Sequence, residues 1–372
     1  MRIGFVSDLV YPFMKGGVER TEYMEMMQLR REHEIHSFSL QLEDMEPDFA
    51  MDGIHYHSVG KTMKGDLFRS RHRSVIQALK FCTLLPLILF GKKLDVIQAN
   101  AFPYVHLPVV KLYCMLSRTK LIIDVAEVWS AEYWRSYIGL ISGTAAYFFS
   151  NWVLKFGDAY ITNPGAVKEA LIDLGVRREK VFAFSPIIDS AAIARVPLKK
   201  GYERRVIFVG RLIKEKRLDK WLSVIENVGK QNALIIGDGP ERDNIWQIIR
   251  SAKLSGKVSM TPPKASQAKM YAELRNSAVM LHMSEREGLG AVILESLALG
   301  TPVVLPTYSP VPDEVKRMCI VEREDKLPKV VSGILRAKDK RAFLRNIDDL
   351  KQFETGMIPA HYAKVFGFLG LR

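Results

Sequence analysis

The sequence predicts an α/β protein of two doubly wound domains, and three observations lead to that class. At 372 residues the chain exceeds one ordinary domain, so a pair is the natural division. Short β-branched runs alternate with helix-length segments in both halves. The hydrophobic share of 48% with 26% charged residues, free of low-complexity segments and of a fixed repeat period, excludes disorder and a solenoid. Two sheets facing a cleft, with a ligand at the carboxyl ends of their strands, follow from such an alternation.

The elements are read in chain order. Arg2 to Ser7 is a short apolar strand ending in the glycine-bearing loop Asp8 to Gly17, and Val18 to Arg31 has helical spacing. Val96 to Ala99 and Leu121 to Val125 are buried parallel strands separated by a helix-length segment. Ile161 and Thr162 close another strand, and Pro164 to Leu174 is a helix stopped by Gly175. After Val181 to Phe184, the stretch Pro186 to Gly201 holds two prolines and the pair Lys199, Lys200, and is placed as the interdomain linker. A second alternation follows: strand Val206 to Val209, helix Leu218 to Val228, strand Ala233 to Ile236, loop Gly237 to Pro240 and helix Glu241 to Leu254. Strands near Val258, at Val279 to Met283 and at Pro302 to Leu305 continue it.

Charge and cysteine usage narrow the class further. Net charge is +13, and residues 191 to 372 carry 32 Lys/Arg against 20 Asp/Glu, so the second half suits an anionic ligand, though scattered cations such as those of Lys338 to Arg345 also simply solvate a helix. Cys82, Cys114 and Cys319 are odd in number and far apart, which fits a reducing compartment. Met1 to Val10 carries Asp8 and no basic start, so no secretion signal is read. The longest apolar run, Phe81 to Phe90, is about half of the roughly 20 residues a spanning helix needs. Lys61, Lys64, Arg69, Arg71, Arg73 and Lys80 lead into it, and Lys92 and Lys93 follow. That segment either lies on an anionic membrane or is a buried helix behind a basic loop. Nucleic acid is not expected, because no binding motif accompanies the charge. The pairs His33/His36 and His55/His57 lack a third ligand at a metal-binding spacing.

The chemistry concentrates in one βαβ unit. Ala278 to Ser284 is a strand, Glu285 to Leu289 a loop, Gly290 to Leu299 a helix capped by Gly300, and Pro302 opens the next strand. Gly288 and Gly290 allow a phosphate to approach the first free N–H groups of that helix, whose positive end favours an anion by about 0.3–1 kcal/mol. Glu287 and Glu295 would lie about 80° apart on one continuous helix. With Glu287 in the loop and Glu295 inside the helix, they bracket the phosphate position and accept hydrogen bonds from hydroxyls on either side of it. Upstream, Arg211 offers a fork of donors and Lys216 a point charge, both suited to a diphosphate.

Ser284-x-x-Glu287-Gly288-Leu289-Gly290 through Glu295, then Ala298, Gly300, Pro302 and Val303, resembles the E-x7-E motif of glycosyltransferase family 4, the retaining group 1 glycosyltransferases of GT-B fold. Val209-Gly210-Arg211-Leu212 with Lys216 resembles the family's diphosphate-binding pair, Gly237-Asp238-Gly239-Pro240-Glu241 its next loop, and Gly16-Gly17-Val18-Glu19 its N-terminal glycine loop. The resemblance implies two Rossmann-like domains: an acceptor-side domain over 1–190, a nucleotide-sugar-binding domain over 202–353, and a C-terminal helix over 354–372 returning to the first. It implies metal-independent transfer, without cofactor, of a sugar from a nucleoside diphosphate sugar to a glycan, lipid-linked or small-molecule acceptor, in the cytoplasm or at the inner face of a membrane. The donor would be held by Gly16, Gly17, Arg211, Lys216, Gly288, Leu289, Gly290 and Glu295, with Glu287, Arg211 and Lys216 catalytic. The absence of a D-x-D triad agrees with that chemistry. One departure stands out: in Asp124-Val125-Ala126-Glu127, Ala126 takes the place of a family histidine near the transferred sugar, leaving Asp124 or Glu127 as sugar or acceptor contacts. A non-catalytic GT-B nucleotide-binding partner and a GT-B nucleotide-sugar epimerase are the alternatives.

Overall fold

The computed structural model describes all residues except Lys15, Ser70, Arg71, Pro186, 198–201, Lys230, 262–265 and Arg372, and of Asp66, Phe68, Arg69 and His72 it describes the backbone alone. The chain forms two compact units, Met1–Pro186 with Thr355–Arg372, and Ile187–Glu354.

In the first unit the strands are β1 (Arg2–Val6), β2 (Glu34–Leu42), β3 (Asp48–Met51), β4 (Ile54–Thr62), a small hairpin β5 (Phe68–Arg69) and β6 (His72–Arg73), then β7 (Val96–Asn100), β8 (Lys120–Val125), β9 (Ala159–Thr162) and β10 (Val181–Ala183). Among the described residues the main sheet runs β10-β9-β8-β7-β1-β2-β4-β3, parallel except for the β3–β4 pair. The helices are α1 (Gly17–Leu29), α2 (Val75–Leu89), α3 (Leu107–Ser117), α4 (Ala131–Ile138), α5 (Leu140–Val153) and α6 (Ala166–Asp173). Strand order reverses between β1 and β7. Right-handed crossovers therefore place α1 on one face of the sheet and α2, α3, α5 and α6 on the other. The interior strands are buried on both faces, which is why they read as continuous apolar runs.

The second unit opens with α7 (Ser190–Ala194) and then alternates β11 (Glu203–Val209), α8 (Leu218–Glu226), β12 (Ala233–Ile236), α9 (Arg242–Ser251), β13 (Val258–Thr261), α10 (Gln267–Asn276), β14 (Ser277–Leu281), α11 (Ala291–Ala298), β15 (Val303–Pro306), α12 (Asp313–Lys316), β16 (Ile320–Glu322) and α13 (Leu327–Arg336). Its parallel sheet runs β13-β12-β11-β14-β15-β16, the doubly wound order whose switch point falls between β11 and β14. Separate apolar cores cover its two faces. After 3-10 turns the chain ends in α14 (Ile358–Phe368), whose Ile358, Tyr362 and Val365 belong to the core of the first unit beside α1.

Three sequence expectations change. The stretch placed as a linker is partly structured: Ile187 and Ile188 are buried, both amides donate to Phe353 O at 2.9 Å, and α7 follows; Pro186 and 198–201 lie outside the described residues. The histidines regroup, because β2 and β4 are paired in register. His36 Nδ1 lies 3.0 Å from His57 Nε2 and stacks on His55, whereas His33 meets Phe366. In the basic segment ahead of α2, Arg71 and the Arg69 side chain are not described, Lys64 pairs with Asp44, and Lys80 Nζ donates to Lys61 O at 2.7 Å.

Candidate functional site

The loops that follow β11 and β14, the strands on either side of the switch point, carry Arg211, Lys216 and Glu287. They are tied to each other and to the next loop by backbone. Gly210 N–H donates to Ile236 O at 3.0 Å, Leu212 N–H to Asp238 O at 2.8 Å, and Glu241 N–H returns to Leu212 O at 3.0 Å. A Cβ added at Gly239 would stand 2.3 Å from Leu212 O, and one at Gly237 1.9 Å from Gly210 O. The Gly-x-Gly of that loop thus exists to let two backbones meet, which fixes the segment bearing Arg211. Arg211 itself is exposed.

The chain then makes a 3-10 turn, Lys214–Lys216, and leaves it through Arg217 at φ 49°, a left-handed conformation secured by bonds from Arg217 to Asp219 and Glu285. Glu285 N–H donates to Glu215 O at 2.9 Å, joining this turn to the loop after β14. Lys216 pairs there with Glu287, both side chains being mostly buried. His282, fully buried just past β14, places Nε2 2.9 Å from Glu287 Oε1. Burial pushes the Glu287 carboxyl up, but His282 and Lys216 together outweigh it and hold the group at about 2. Glu287 is therefore an anion at any ordinary pH, compensated by a cation that a diphosphate would also attract.

Gly290 stands at the N-cap of α11 with φ 80° and has no side chain to cap it, and Leu289 and Gly290 are buried against the unit. Glu295 lies within α11 at 3% exposure and accepts from Tyr271 Oη at 2.7 Å, while Gln267 Nε2 donates to that hydroxyl at 2.9 Å. The sequence reading named neither His282 nor Tyr271. A lone histidine at a strand end and a tyrosine in a helix carry no motif; only the fold brings them to the two glutamates. A cavity of about 540 Å³ is lined by Ile213, Leu218, Ile245, Ile248, Asn244 and Glu285 among others, and Arg211, Lys216 and Glu287 are not part of its lining.

In the first unit, Gly16 and Gly17 form the N-terminus of α1. A Cβ at Gly16 would collide with the Glu19 carboxylate, whereas one at Gly17 would meet nothing within 4 Å. Asp8, in the same loop, is bound to Arg73 at 2.6 Å. Asp124 is held at the end of β8 among Glu22 and Glu25 of α1. Gln98 Nε2 donates to Glu25 Oε2 at 2.9 Å, and Tyr362 Oη of α14 donates to Gln98 Oε1 at 2.5 Å. Burial pushes the carboxyls of Glu22, Glu25 and Asp124 upward, and for the two glutamates the charge of Asp124 adds to it. Glu127 accepts from Trp129 Nε1 at 3.0 Å, and Ala126 O from Asn163 Nδ2 at 3.4 Å. The two candidate carboxyls beside Ala126 thus have different settings, one in an acid cluster and one against an indole.

Known proteins resemble the chain in two ways. The family model of glycosyl transferases group 1 matches residues 189–319. Over 150 residues the chain is 29% identical to the lipopolysaccharide core biosynthesis glycosyltransferase LpsE of Rhizobium meliloti, covering 40% of this chain and 43% of that one. Over 133 residues it is 31% identical to the sulfoquinovosyl transferase SQD2 of Arabidopsis thaliana, covering 35% and 25%. The matched stretch spans less than half the length of either relative. Among solved structures, Anabaena HepE in complex with UDP superposes at a TM-score of 0.70 with 16% identity, over 99% of this chain and 100% of that one. That likeness extends the GT-B fold over the whole chain.

Proposed function

We propose that this protein, whose residues 189–319 match the family model of glycosyl transferases group 1, transfers a sugar from a nucleoside diphosphate sugar to an acceptor hydroxyl with retention of configuration. The observation that carries the reading is the convergence of Lys216, Glu287 and His282 beside the uncapped N-terminus of α11, at the switch point of the second sheet. A diphosphate entering there meets helix N–H groups, Lys216 and Arg211, which together offset the phosphate charge that a metal ion neutralises in other transferases. Glu287, freed from Lys216 by the phosphate, accepts from hydroxyls of the donor sugar, and Glu295 from the ribose. The bond from the anomeric carbon to the β-phosphate oxygen breaks and a bond to the acceptor oxygen forms on the same face. The acceptor's proton passes to the departing phosphate oxygen, so no base from the protein is required. HepE, whose structure holds UDP, supports a uridine donor as the first to try.

The test is donor consumption and product analysis with a panel of uridine and guanosine diphosphate sugars, alongside thermal shift with the free diphosphates. A nucleotide at 100 times its Kd should add about 2.7 kcal/mol of stability. Release or transfer of sugar supports the reading, and an epimerised donor overturns it. Nucleotide binding with no turnover favours a second reading, a non-catalytic partner, for which Ala126 in place of a polar group is the specific motive.

A further inference from the structure

Three neighbouring helices of the first unit turn apolar side chains to solvent. On α2, Ile76, Leu79 and Leu87 are 57%, 50% and 72% exposed along one side of the helix. On α3, Leu112, Met115 and Leu116 are 52%, 67% and 69% exposed. On α5, Ile141, Phe148 and Trp152 are 85%, 66% and 56% exposed, at spacings that again fall on one stripe. The stripes adjoin. Phe90, just past α2, packs edge-on against Tyr113 of α3 with ring centroids 5.6 Å apart, and Lys111 of α3 donates to Phe156 O, in the turn after α5, at 2.9 Å. Single exposed apolar residues are ordinary, but a connected set across three helices marks a face that something covers.

Charge selects the occupant. Within α2, α3 and α5 there is no Asp or Glu; Lys80 and Lys111 are their only ionised side chains, and Lys92, Lys93, Arg118, Lys120 and Lys155 stand just beyond their ends. No helix among the described residues is long and apolar enough to cross a membrane. We propose that this face of the first unit seats on an anionic phospholipid bilayer, the apolar stripes entering the headgroup boundary while the cationic side chains beyond the helix ends reach lipid phosphates. A second copy of the chain would also cover the apolar stripes, but it would set the lysines of one copy against those of the other, since the three helices themselves carry no acidic residue. The inference rests on this surface alone and stands apart from the transferase reading.

Flotation with vesicles of phosphatidylglycerol and phosphatidylcholine, and with phosphatidylcholine alone, tests it. The chain should float with the anionic vesicles, and acyl-brominated lipid should quench a part of its tryptophan emission that Trp152→Phe removes. The combined variant Leu87→Asp, Leu116→Asp, Phe148→Asp should partition at least about 100-fold less, since each exchange replaces an apolar side chain entering the headgroup boundary with a charge that anionic lipid repels. All three positions are exposed, so its circular dichroism should match that of the parent chain. Wild type that stays unbound, undiminished flotation of the triple variant, or a concentration-dependent dimer in sedimentation that the triple variant abolishes would each overturn the proposal.

Discussion

Replacing Lys216 by Met probes the pair at the centre of the second unit. Glu287 titrates at about 2 against an ordinary 4.5, and its side chain is only 13% exposed, so solvent screening takes little from the effect. A shift of that size corresponds to about 3 kcal/mol of stability, shared between His282 and Lys216, so the lysine's part is about 1–2 kcal/mol. A carboxyl depressed in the folded state contributes fully above pH 4.5 and loses its contribution as pH falls through about 2. Lys216→Met should therefore lower stability at pH 7 by about 1–2 kcal/mol, with the difference from wild type shrinking below pH 4.5. Urea titration read by hydrogen exchange of peptides from β11 and β14 isolates the second unit. The double variant Lys216→Met, Glu287→Gln should cost less than the sum of the single variants, because each single change leaves the other partner buried and uncompensated. Equal stability of Lys216→Met and wild type at pH 7, or strict additivity in the double variant, refutes the pairing. Diphosphate affinity should fall further than stability does, by about 2–5 kcal/mol, because the lysine meets the ligand's charge directly.

Three other perturbations bear on separate features. Gly239→Ala drives a methyl into the Leu212 backbone and should destabilise the second unit by about 1–3 kcal/mol while weakening nucleotide binding, as differential scanning calorimetry and thermal shift would show; an unchanged midpoint contradicts the interlocked loops. Ala126→His should raise donor turnover about 10²-fold, and unchanged turnover would indicate that Glu127 or Asp124 already serves the reacting sugar, which Glu127→Gln and Asp124→Asn then tell apart. Glu25 is raised in the folded state, so its contribution is most favourable below pH 4.5 and declines as pH rises toward alkaline values. Glu25→Gln should flatten the loss of first-unit stability between pH 6 and 9 by about 1 kcal/mol or more, and an equal slope in urea titrations would remove Glu25 from the acid cluster.

The sequence by itself determined the alternation of strand and helix, the βαβ unit around Glu287 and the cationic pair upstream of it, because buried parallel strands are written as apolar runs and tight strand-to-helix loops as glycine before a helix. It missed β2 and β4, where His36, His55 and His57 interrupt the apolar pattern with polar residues that the in-register pairing stacks on one another. Tertiary structure alone decided which charges meet. Lys216 and Glu287 lie 71 positions apart, and they pair because strand order reverses at β11 and β14 and sets their loops side by side. Likewise Tyr362 reaches Gln98 across 264 positions, since the C-terminal helix packs beside α1. Periodicity specifies what each segment is, and it is local. Pairing energies among polar groups depend on distances of a few ångströms in space, which only the assembled sheets define.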